Sequence, residues 1–94
     1  MILTSPQCRA ARAWLNISQD ELAQLSKVAS RTIALFELDN RMPRERTLED
    51  IRRALETLGM GFPFDGARAS GISASEVAKP IQRPRRKKSS VDAI

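Results

Sequence analysis

Few side chains in this sequence could do chemistry. There is no histidine and only one cysteine, Cys8. That excludes zinc sites with imidazole ligands and histidine-based triads. No nucleophile stands with a base and no metal-ligand constellation is visible, so neither an enzyme nor a cofactor is expected. What the residues offer is hydrogen-bond donation. Arg31 could hold a guanine edge or a phosphate, and Ser30 and Thr32 could contact phosphates or bases. Arg41, Arg44 and Arg46 follow close behind.

The stretch that must position these groups is residues 19–37, QDELAQLSKVASRTIALFE. It reads as two short helices, helix two over residues 19–26 and helix three over about 30–38, joined by a tight turn. Leu22 and Ala23 form one buried helical stripe, and Ile33 with Phe36 forms another. Val28 is an apolar plug in the turn, where it can wedge between two crossing helices. That is the layout of a helix-turn-helix unit, whose second helix is presented outward. Ser18 and Glu21 supply a capping box for the first of the two, and Asp20 and Glu21 suit its dipole.

The run Ser18-Gln19-x-x-Leu22-Ala23-x4-Val28-x4-Ile33-x3-Glu37 resembles the Cro/lambdoid-repressor (XRE) helix-turn-helix family. The resemblance covers roughly residues 5–62. It implies that helix three enters a DNA major groove, with Ser30, Arg31, Thr32 and Leu35 facing the ligand. Gln19 matches the family's phosphate-contacting position at the start of helix two. Lys27 in the turn and Arg41 and Arg44 after helix three complete the implied DNA-binding set. Glu37 matches a residue that pairs with an arginine of helix one, here Arg12. The sequence departs from the pattern at Lys27 and Asp39, which take positions where glycine is usual. It departs again at Ala34 and Leu35, where outer positions are more often polar. Lys27 must either adopt a left-handed backbone at some cost or shift the turn.

Taken in order, Ser5-Pro6 fits a helix N-cap followed by proline at the first helical position, opening helix one over residues 6–15. Cys8, Ala11 and Leu15 share its inner face, so Cys8 reads as a small buried hydrophobe. Trp14 falls off that stripe and either covers the rim of the core or sits at a contact surface. Asp39 and Asn40 suit a loop with unusual backbone angles. Helix four starts at about Arg44 or Thr47 and runs to Leu58, with Leu48, Ile51, Leu55 and Leu58 as its stripe and Gly59 as its C-terminal cap. Residues 60–64 carry Gly and Pro and read as extended. Phe62 and Phe64 alternate there, either folding back on the core or pairing with a second subunit. Residues 73–79 could form one or two helical turns. Residues 80–94 contain Arg-Pro-Arg-Arg-Lys-Lys and read as a disordered basic tail. It is either a non-specific nucleic-acid arm or a passive tail.

The expected fold is therefore all-α. It is a compact helix-turn-helix domain of four helices, with a fifth in residues 73–79 as an open option. The domain spans residues 1–64, followed by an extension 65–79, which is either a short helix or a dimerisation segment, and the tail 80–94. With 41% hydrophobic and 29% charged residues the chain suits a globular domain. No apolar run approaches the roughly 20 residues that span a bilayer, no signal peptide is visible, and one cysteine points to a reducing cytoplasm. Of the formal net charge of +5, about +1 belongs to residues 1–79 and +4 to residues 80–94. A nearly neutral domain weakens any argument from overall charge to DNA.

Two functions fit. One is a transcriptional regulator that binds operator double-stranded DNA as a dimer through helix three. The other is a protein-binding module of the same fold, an antiactivator or antitoxin. It would mask a transcription factor through Arg31, Ala34, Leu35 and Leu38 on the outer face of helix three.

Overall fold

The computed structural model describes residues 2–39, 41–66 and 68–82. Four helices come first: α1 Ser5–Leu15, α2 Gln19–Ser26, α3 Ser30–Glu37 and α4 Glu45–Thr57. Four two-residue strands follow: β1 Met60–Gly61, β2 Phe64–Asp65, β3 Arg68–Ala69 and β4 Ser73–Ala74.

Helix α1 begins one residue earlier than its proline suggests. Thr4, not Ser5, is the N-cap: its hydroxyl accepts from the Gln7 amide, and the Gln7 side chain accepts from the Thr4 amide at 3.0 Å. Ser5 is buried and committed elsewhere. Asn16 ends the helix in a left-handed conformation, φ 58°. Helix α2 carries the expected capping box. The Glu21 amide donates to Ser18 Oγ at 3.0 Å, and the Ser18 amide donates to Glu21 Oε1 at 2.7 Å. Lys27 resolves its conflict by taking the left-handed backbone, φ 62°, and the turn keeps its tight form.

The helices close on one core. Cys8, Ala11 and Leu15 of α1, Leu22 of α2, Ile33 and Phe36 of α3, and Leu48, Ile51 and Leu55 of α4 are buried together, with Val28 from the turn. Leu3, Ile17, Met60 and Ala78 join them from outside the helices. Ala23 and Leu58, read as inward, are only half-buried and pack against the core's edge.

After α4 the described residues are not helical. Residues 73–79, where a fifth helix was an option, form β4 and a turn at Glu76–Val77. Pairing decides this. Strand β1 runs antiparallel to β4, with Met60 opposite Ala74 and Gly61 opposite Ser73. Strand β2 pairs with β3, Phe64 opposite Ala69. Backbone groups that a helix would satisfy internally are used across strands instead. Gly59 makes the return possible. Its φ is +98°, and a Cβ placed there would lie 2.7 Å from the Ala78 backbone nitrogen.

The returning segment straps along α1. Gln7 donates its side-chain amide to the Gly71 carbonyl at 2.9 Å, and the Trp14 indole N–H donates to the Ala78 carbonyl at 3.1 Å. The Ile81 amide reaches the Leu15 carbonyl, and Asn16 Nδ2 reaches the Ile81 carbonyl, each at 2.9 Å. Trp14 therefore covers the strap while the residue stays 48% exposed. Pro80, Ile81 and Gln82, grouped by sequence with the tail, continue the strap. The expected disorder of residues 83–94 lies outside the described residues.

Candidate nucleic-acid interface

Glu37, the last residue of α3, holds the outer helix in place. It is 5% exposed, yet it is charged and fully engaged. Arg12 of α1 binds it with two bonds, Nη2 to Oε1 at 2.7 Å and Nε to Oε2 at 2.8 Å. Gln19, at the start of α2, donates Nε2 to Oε1 at 2.9 Å. Cys8 Sγ donates to Oε2 at 3.2 Å, and Arg9 donates to the Glu37 backbone carbonyl. One carboxylate thus ties α1, α2 and α3 together. Arg12 Nη1 also donates to the Ile17 carbonyl at 3.0 Å, in the turn between α1 and α2.

The electrostatics follow from that geometry. Burial pushes the Glu37 carboxyl up, but hydrogen bonds from Arg12, then Gln19 and Cys8, together with the Arg12 charge, hold it below its ordinary value. The same hydrogen bond raises Arg12. Burial, followed by the adjacent Glu37 charge, drives the Cys8 thiol far above the usual range, so Cys8 stays a thiol and a donor.

A second tie fixes the loop after α3. Asp39 takes φ 61°, the left-handed conformation expected of a glycine substitute there. Its Oδ1 accepts from Ser5 Oγ at 2.7 Å, and Arg9 Nη1 donates to Ser5 Oγ at 3.1 Å. The carboxylate of Asp39 is thereby drawn toward α1.

With these anchors set, the outer face of the unit carries the residues singled out by sequence. Arg31 is exposed, and Ser30 and Thr32 beside it are half-buried. Lys27, Arg41, Arg44 and Arg46 are exposed. Ala34 and Leu35 are half-buried rather than fully outward, while Leu38 is 70% exposed. Arg31, Thr32 and Leu35 of α3 meet Arg41 and Pro43 of the loop around a cleft of about 210 Å³. Gln19 is set apart from this group, its amide nitrogen turned to Glu37. Between residues 27 and 46 the chain has five Lys/Arg and three Asp/Glu, one of which is the buried Glu37. The local surface is therefore more basic than the domain as a whole.

Sequence reasoning missed Cys8, Gln19 and Arg9 as partners of Glu37, and Ser5 as the partner of Asp39. Arg12 alone carried a signal, through its match to the family pattern. Among the described residues no group of carboxylates, cysteines or histidines could hold a metal ion. No described helix is long and apolar enough to cross a membrane.

No curated protein matches the chain. A helix-turn-helix family model matches residues 9–58, more than half of the sequence. That stretch opens within α1 and closes just after α4, so it takes in the capped α2, the left-handed turn at Lys27 and the outward α3. On that match the chain belongs to the Cro/lambdoid-repressor (XRE) helix-turn-helix family, whose members are DNA-binding regulators.

Proposed function

We propose that this protein is a transcriptional regulator that binds operator double-stranded DNA as a dimer, with α3 in the major groove. The observation that carries the reading is the exposed Arg31 on α3, which lines a cleft together with Arg41 at the outer surface of the family's recognition unit. In this reading Arg31 takes a guanine edge, and Ser30 and Thr32 contact bases or phosphates. Lys27, Arg41 and Arg44 contact phosphates, which fixes register without conveying sequence. Gln19 contributes at the start of α2, where its link to Glu37 couples backbone contact to the placement of α3.

A second reading rests on Leu38 and Met42, which are 70% and 69% exposed on the loop side of α3. A protein partner would bury such side chains. The basic surface around them favours DNA as the ligand.

The test is a selection of duplexes from a randomised pool with the full chain, followed by salt-dependent affinity measurements. Arg31→Ala is expected to cost about 1–3 kcal/mol on the selected site and to relax preference at one base pair. Binding that is uniform across sequences, with Leu38→Ser abolishing capture of a transcription factor, would replace DNA reading with protein masking.

A further inference from the structure

This inference rests on the DNA reading above and narrows it to a base. We propose that the cleft between α3 and the following loop receives the C5 methyl group of a thymine, within about two base pairs of the guanine held by Arg31.

The cleft is chemically two-sided. Leu35 and Pro43 are half-buried, so they are fixed walls that still show apolar surface. Thr32 adds a methyl and a hydroxyl. Arg31 is exposed beside them and can only donate, while Arg41, also exposed at the cleft, is the one left to the phosphate backbone. In the major groove cytosine and adenine each present an amino donor, whereas guanine presents two acceptors and thymine an acceptor plus a methyl. An apolar wall edged by the Arg31 guanidinium therefore suits thymine and guanine. It has one hydroxyl to answer the amino group of the other two bases.

Spacing sets where the thymine lies. Arg31 and Leu35 are four residues apart on one helix face, which puts them about 6 Å from each other. Successive bases along a strand are about 3.4 Å apart. A guanine under Arg31 and a thymine under Leu35 are thus neighbours or one step removed. The outer leucine, unusual for a groove-reading helix, then has a definite partner. The loop residue Pro43 closes the cleft, so specificity depends on the loop that Asp39 and Ser5 hold in place.

The experiment uses the full chain and a duplex recovered from a randomised pool. Each thymine is replaced in turn by deoxyuridine, which removes only the methyl. One replacement near the selected guanine should weaken binding about fourfold, the effect of one buried methyl. The same replacement should have no effect on Leu35→Ala. Indifference to every replacement, or an equal loss in wild type and Leu35→Ala, would overturn the proposal. The scan on wild type stands even if Leu35→Ala does not fold. A pool that yields no preferred sequence at all would sink the DNA reading itself, and this inference with it.

Discussion

Arg12 and Glu37 meet side-on, guanidinium to carboxylate, through paired bonds of 2.7 and 2.8 Å with the carboxylate almost wholly buried. Bonds of this kind are directional and strong, but taking the carboxylate out of water is expensive. Arg12→Ala should therefore destabilise the fold by about 3–5 kcal/mol, because it leaves a buried charge behind. Removing both partners should cost less than removing one. A double-mutant cycle by urea unfolding reads the coupling, and a cycle with none would show the pair to be incidental.

The same carboxylate sets a pH dependence. Its folded-state pKa lies below the ordinary 4.5, so its contribution is present above 4.5 and is lost as pH falls through the lower folded value. Urea midpoints should decline as pH drops below about 4.5, and Glu37→Gln should remove part of that decline while lowering the midpoint at neutral pH. A variant with the wild-type acid slope would exclude Glu37 as a source.

Ile33 and Leu22 are both completely buried, one in each helix of the turn unit. Replacing either with alanine should cost about 2–5 kcal/mol, a large share of the stability of a domain this small. Thermal or urea unfolding measures the loss, and melting shifts of a degree or so would mean that neither side chain is packed as described.

Gly59→Ala should loosen the strap. The added Cβ meets the Ala78 backbone at 2.7 Å, and the positive φ disfavours any side chain. A loss of more than about 1 kcal/mol is expected, together with a changed emission from Trp14, the sole tryptophan, whose indole binds Ala78. Unchanged emission and stability would place the strap's anchor elsewhere.

Deleting residues 83–94 removes five Lys/Arg and one Asp. The melting temperature should stay put, since every strap bond described ends at Ile81. If the tail lies on phosphates, the logarithmic salt slope of DNA binding should fall by several units. An unchanged slope would make the tail a passenger.

The helices were legible because their signals are local. Leu48, Ile51 and Leu55 mark α4 by spacing, and Ser18 with Glu21 marks the start of α2. The strap was not legible. Met60 and Ala74 pair across a stretch rich in Gly and Ser, and nothing within either dipeptide names its partner. The N-cap was displaced by one residue because Thr4 and Ser5 are both good caps, and only the distant Asp39 decides which is free to serve. Of the candidate site, both the exposure of Arg31 and the Arg12–Glu37 contact followed from the family pattern. The inward turn of Gln19 and the closure of the cleft by Pro43 depend on tertiary geometry that a single sequence does not carry.

The strap also bears on the order of assembly. Its bonds to α1 and the helix's C-cap join residues 64 to 66 positions apart, whereas α2, α3 and α4 succeed one another along the chain. Closing such a loop is entropically slow, and the strap buries little beyond Met60 and Ala78. The helices can therefore collapse first and the strap dock last. The amides of Ala78 and Ile81 then exchange with solvent through local opening, long before the helical core lets go.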